Sequence, residues 1–145
     1  MNTEKKVLWI DDFINNARMS GQKGRVERKG FRITPAATID EALDLLQDTS
    51  HKWAGIIIDI AIPPDETRDG FGPGETENGL TAGYVLLKKI KENENFTHSC
   101  DIPIIVFTQV NNDDLWRYCE SKNIPFLRKR GNKKIEDAAQ EYFQG

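Results

Sequence analysis

The feature that most constrains this chain is a rhythm of short apolar runs, each halting on a polar residue, with helix-like spacing between them. Val7-Leu8-Trp9-Ile10 halts on Asp11-Asp12, Trp53 to Ile58 halts on Asp59, and Ile102 to Phe107 halts on Thr108. Short continuous apolar runs of this kind read as strands buried on both faces. Phe31 to Ala36 is a further strand, and Pro35, which removes a ladder donor, assigns it to a sheet edge. Pro125-Phe126-Leu127 is a last short strand that enters Arg128-Lys129-Arg130. Five strands alternating with helices imply right-handed crossovers and a mostly parallel sheet between two helical layers, an α/β architecture.

The helices show themselves by cap and period. Thr38-Ile39-Asp40-Glu41 is a capping box. Ile39, Ala42, Leu43 and Leu46 then mark one helical face. Gly83, Leu86, Leu87 and Ile90 repeat the spacing. So do Leu115, Trp116 and Cys119 behind an Asn111 or Asn112 cap, and Ile135, Ala138, Ala139 and Tyr142 near the end. The first crossover, residues 13–29, is the weak unit. It holds Gly21, Gly24 and few apolar residues, which predicts a short or broken helix.

Residues 63–79 break the rhythm. Pro63, Pro64, Gly70, Gly72, Pro73, Gly74 and Gly79 alternate there with Asp65, Glu66, Asp69, Glu75 and Glu77, a long polar loop. The inserted part, about 65–77, has almost no apolar residue except Phe71. It is expected to add little buried area and to be dispensable for folding. Its glycine spacing matches neither a P-loop nor a dinucleotide fingerprint.

Composition narrows the function classes. The chain has 145 residues, the size of one domain spanning 1–145, with no internal repeat. Its net charge of −3 argues against a nucleic-acid or anionic-membrane surface. No apolar run approaches the roughly 18 residues of a membrane span, and no secretory signal opens the chain. The expected location is the cytoplasm, with Cys100 and Cys119 as reduced, buried thiols. His51 and His98 match no zinc spacing.

In an open parallel sheet the functional site lies at the carboxyl ends of the strands. Those ends carry Asp11 and Asp12, Asp59, Thr108 and Lys129. Three carboxylates converging on one edge repel, so positive charge must offset them. Lys129 supplies one, and Mg²⁺, which suits a carboxylate site that keeps several waters, is the natural second.

This set of residues resembles a response-regulator receiver domain, with the single-domain chemotaxis regulators the nearest familiar shape. The resemblance spans essentially the whole chain, and its weight lies in five residues in the right order, each at a strand end. It implies a flavodoxin-like five-stranded parallel sheet, order 2-1-3-4-5, with helices on both faces. It implies Asp59 as phosphoacceptor in a two-component phosphorelay. Asp12 would ligate Mg²⁺ together with Asp59 and the backbone carbonyl of Ala61, and Asp11 would act through water. Thr108 and Lys129 would contact the phosphoryl oxygens, and Phe126 stands where the family keeps a switch aromatic. The implied partners are a histidine kinase or phosphotransfer protein and a downstream protein target. The chain would act as a monomer or weak dimer, signalling by docking rather than by turning over a separate substrate.

Three features depart from the family pattern. Arg130 follows Lys129 where the family has proline, Gln109 follows Thr108 where it prefers a small residue, and the loop after Asp59 is enlarged. They keep open a degenerate pseudo-receiver that binds partners without being phosphorylated. An aspartate-based phosphatase is disfavoured, because Ala61 stands where its second acid would be needed.

Overall fold

The computed structural model describes residues 5–92 and 101–143; Cys100 and His98 lie outside the described residues. Five strands form in the expected places: β1 (Lys5–Ile10), β2 (Phe31–Ala36), β3 (Trp53–Ile58), β4 (Ile104–Thr108) and β5 (Phe126–Arg128). They make one sheet in the order β2-β1-β3-β4-β5, with every neighbouring pair parallel. Five helices alternate with them: α1 (Ala17–Glu27), α2 (Ile39–Gln47), α3 (Ala82–Lys91), α4 (Asp113–Ser121) and α5 (Ile135–Phe143).

The two-residue period of the strands divides the core between two layers. Leu8, Ile10, Ile56, Ile58, Ile104 and Val106 face the layer of α2, α3 and α4. Val7, Trp9, Ile57, Ile105, Phe107 and Leu127 face α1 and α5. Full burial on both faces explains why these strands are continuous apolar runs rather than alternating ones. At about 1.5–3 kcal/mol for each large side chain removed from water, this double core dominates the stability of the fold.

The caps match the sequence reading. Glu41 N–H donates to Thr38 Oγ1 at 3.1 Å, and Leu115 N–H donates to Asn112 Oδ1 at the same distance. Pro35 lies in the edge strand β2.

The first crossover differs from expectation. α1 is an unbroken helix of 11 residues. The Asn16 side chain accepts the Arg18 N–H, and Met19 and Val26 form its buried stripe against α5. The exposed side of a helix needs no apolar residues, and neither Gly21 nor Gly24 faces the core closely. Packing has overridden a poor propensity.

The insert also differs from expectation. It forms turns without helix or strand, but it is not a solvated appendage. Phe71 is 1% exposed within the α2–α4 core, and Thr76 is fully buried. Arg68 closes the flank, its Nη2 2.8 Å from Asp44 Oδ1 and its Nε 2.7 Å from Asp40 Oδ1, both on α2.

At the last helix, Phe143 rather than Tyr142 completes the buried face; Tyr142 is exposed. A Cβ on Gly55 would stand 2.3 Å from the Phe143 ring, so only glycine at that point of β3 admits it. Trp116 is half exposed on α4 and belongs to the surface.

Candidate functional site

Register assembles the site. Ile10 pairs with Ile58, so the residues after each, Asp11 and Asp59, emerge side by side. Asp59 N–H donates to Ile10 O at 2.8 Å, and Asp11 N–H donates to Ala36 O at 3.0 Å, which locks both backbones at the sheet edge. Thr108 ends β4, and Lys129 follows β5, its N–H donating to Thr108 O at 3.1 Å. Behind Asp59 the α3 helix begins unusually close. A Cβ on Gly83 would lie 2.0 Å from Asp59 O, and the Gly83 N–H donates to Ile60 O at 2.9 Å.

The side chains meet as the sequence implied. Lys129 Nζ lies 2.6 Å from Asp11 Oδ2 and 2.9 Å from Asp59 Oδ2. Asp11 is fully buried and Asp59 is 6% exposed. The remaining oxygens of these two are held by backbone: Phe13 N–H donates to Asp11 Oδ1 at 2.9 Å, and Ile60 N–H to Asp59 Oδ1 at 2.7 Å. Neither Asp11 nor Asp12 caps α1, since Asn16 does that. Thr108 is no helix cap either. Its Oγ1 accepts the Val110 N–H at 3.1 Å, which leaves the hydroxyl proton free to be donated.

One oxygen of Asp11, Asp12 and Asp59 each lies within 4.8 Å of the others. At that spacing like charges repel by about 3–4 kcal/mol per pair for an effective dielectric near 20. Burial raises the Asp11 carboxyl above its ordinary range against the pull of Lys129, and the charge of Asp59 adds to the rise. Burial likewise raises Asp12, helped by the charges of Asp11 and Asp59. Burial alone would lower Lys129, but its hydrogen bonds to Asp11 and Asp59 outweigh that and raise it.

The donor set fits a hard divalent cation. Asp12 Oδ1 is buried and has no hydrogen-bond partner among the described residues, and a carboxylate oxygen of Asp12 lies within 4.8 Å of one from Asp11 and one from Asp59. A buried, unpartnered carboxylate oxygen is costly unless something positive reaches it.

A cleft of about 530 Å³ opens over Asp59 and is walled by Arg18 and Gln22 of α1, Thr108, Gln109 and Arg130. Gln109 and Arg130, two of the three departures from the family pattern, therefore stand directly at the approach. Phe126 is not brought to the carboxylates. It opens β5, half-buried against the α2–α4 core, whereas Lys129 follows that strand's end. Ala61 is half-buried and lines the cleft. The sequence reading missed Arg18. Its signal was an arginine six residues past Asp12, hidden because that helix was expected to be short. Gly83 was read only as part of a helical period; its tight contact with Asp59 has no sequence signature.

No family model matches the chain, and no curated protein matches it. Among solved structures it is similar to a response-regulator receiver domain protein of Clostridium thermocellum, with a TM-score of 0.65, 18% identity, and coverage of 96% of this chain and 90% of that one. It is similar to the CheY-like receiver domain protein of Methanospirillum hungatei, with a TM-score of 0.64, 18% identity and coverage of 96% and 90%. A response regulator of Burkholderia pseudomallei, solved with a phosphorylated aspartic acid, a calcium ion and citrate, aligns with a TM-score of 0.64 and 20% identity, over 97% of this chain and 66% of that one. What is shared at such identities is the fold: this chain folds as response-regulator receiver domains do, over nearly its whole length.

Proposed function

We propose that the chain is a phosphoacceptor receiver of a two-component phosphorelay, taking a phosphoryl group on Asp59 with Mg²⁺ and signalling by docking onto another protein. The observation that carries the reading is the Lys129 bridge between Asp11 and Asp59, beside a buried Asp12 oxygen with no hydrogen-bond partner among the described residues.

A carboxylate oxygen of Asp59 attacks phosphorus in line; its O–P bond forms as the bond to the leaving group breaks. Asp12, Asp59 and the Ala61 backbone carbonyl would hold the cation, and Asp11 would act through water. Mg²⁺, when bound, neutralises charge on the phosphoryl oxygens and orients them. The Thr108 hydroxyl donates to one phosphoryl oxygen, and Lys129 pairs with another. Phe126 is the aromatic that responds to that rearrangement. Ala61 and Val110 offer no side-chain hydrogen bond to an attacking water, so the aspartyl phosphate is long-lived in the absence of a phosphatase. The donor is a phosphohistidine on a kinase or phosphotransfer protein. The output is a protein–protein contact in the cytoplasm, made by a monomer or weak dimer. In keeping with this, no described helix is long and apolar enough to cross a membrane.

Incubation with acetyl phosphate and Mg²⁺ is expected to add one phosphoryl mass, and Asp59→Asn is expected to remove it. Undiminished labelling of the variant overturns the assignment. Gln109 and Arg130 at the mouth of the cleft favour a second reading, the pseudo-receiver, for which the parent protein gains no mass at all.

A further inference from the structure

The triplet Arg128-Lys129-Arg130 is divided between three tasks. Arg128 donates to the Asn111 side chain, and Lys129 is engaged by Asp11 and Asp59. Arg130 has no side-chain hydrogen bond or ion pair among the described residues, and it lines the cleft over Asp59. The same cleft is lined by Arg18, in the first turn of α1, whose guanidinium also has no partner among the described residues. Asp59 is the one acid among the residues lining this cleft, against three cations. An unpaired arginine is most simply a solvated charge. Two of them lining the same cleft as the proposed phosphoacceptor form a positive approach path.

In-line attack fixes where the leaving group goes. It departs from phosphorus directly away from the Asp59 oxygen, into the cleft that Asp59 lines together with Arg18 and Arg130. In a loose phosphoryl-transfer transition state, negative charge develops on a leaving oxygen. Resting on the phosphoacceptor reading above, we infer that Arg18 and Arg130 receive the leaving group and, among small phosphodonors, favour those whose leaving group departs as an anion. For an acyl phosphate, the Asp59 O–P bond forms, the acyl O–P bond breaks, and its electron pair leaves on a carboxylate between the two guanidiniums. For phosphoramidate, whose nitrogen is already protonated near neutral pH, the P–N bond breaks and its electron pair leaves on neutral ammonia, which the arginines do not attract. Each arginine acts on the departing group, not on Asp59, so its effect depends on the donor.

The test is the ratio of initial labelling rates with acetyl phosphate and with phosphoramidate, read by intact mass on the full chain with Mg²⁺. Arg18→Gln and Arg130→Gln are each expected to lower that ratio about threefold, and the double variant about tenfold, the range of one or two partly solvated charge contacts. Arg130→Lys is expected to keep most of it. The parent ratio is expected to fall as salt rises toward 1 M, where the screening length is about 3 Å. An equal fall in both rates, or no fall in either, overturns the inference and leaves Asp59 as the acceptor. A parent that takes no label from either donor overturns the phosphoacceptor reading and the inference together.

Discussion

Asp12 is the residue at which charge and burial are least balanced. Its carboxyl titrates above the ordinary aspartate value of 3.8 because burial and two neighbouring carboxylates penalise its charged form. A raised carboxyl pKa means that the folded state binds protons more tightly than the unfolded one. The penalty is absent below about pH 3.8, grows as pH rises through the folded pKa, and is fully present at neutral pH. Asp12→Asn is therefore expected to raise the Tm in chelator at pH 7 by on the order of a few degrees, with the gain fading toward pH 4. The same substitution is expected to abolish the rise in Tm on adding Mg²⁺, because it takes the negative charge from the proposed ligand. A variant that still responds to Mg²⁺ like the parent places the metal elsewhere. In the parent, protons compete for the site, so the Mg²⁺ response is expected to weaken on acidification at a higher pH than for a free carboxylate. At this scale the sequence was highly legible. Strand ends announce Asp11, Asp59 and Thr108, and the offset from Phe126 singles out Lys129 from its basic neighbours. The Lys129 ion pairs with Asp11 and Asp59 match that choice. Arg18 was not legible, because a residue on a helix of uncertain extent has no defined direction.

Among the elements, α3 and the insert make opposite demands on their neighbours. Gly83 lets α3 start against the carbonyl of Asp59, where an added Cβ would stand 2.0 Å away. Gly83→Ala must push helix and strand end apart. Overpacking of this kind costs about 1–3 kcal/mol, and a displacement near 1 Å at a reacting group is worth about 100-fold in rate. A lowered Tm together with slower labelling of Asp59 is expected; an unchanged Tm shows that the start of α3 yields freely. The insert is fastened by one aromatic. Phe71→Ala is expected to cost about 3–5 kcal/mol, measured by urea unfolding, because the ring is 1% exposed inside the α2–α4 core. A loss below 1 kcal/mol indicates that the core closes over the gap. A single Phe among acids, prolines and glycines carries no periodicity, so sequence pattern does not separate an anchor from a stray apolar residue. The same blindness applies to Tyr142 and Phe143. Both fit a 3.6-residue period within one position, and only the space left by Gly55 decides which ring goes inward.

For the whole molecule, the alternation of runs and caps specified the layers, and the strand order followed from the family resemblance; both match the structure. What pattern could not supply were the contacts that close the edges of the layers, such as Arg68 on α2 or Arg25 on α5, where Arg25 Nε lies 3.2 Å from Glu136 Oε2. Because the carboxylates meet only when β1 and β3 are in register, a cation held by them would bind the folded chain and not the unfolded one. At a free Mg²⁺ concentration 100 times its dissociation constant, the fold is expected to gain about 2.7 kcal/mol, a rise in Tm on the order of 5–10 °C by differential scanning fluorimetry. No rise at millimolar Mg²⁺ shows that the carboxylates bind no cation. The position of Pro35 has a last consequence. Ala36 O accepts from Asp11 on β1, so the preceding residue turns its backbone to the outside, and that outward site has no N–H to give. The opposite border is β5, only three residues long. A foreign strand finds a missing donor on one side and too short a template on the other, so the sheet resists growing from chain to chain into aggregates even when the protein is abundant.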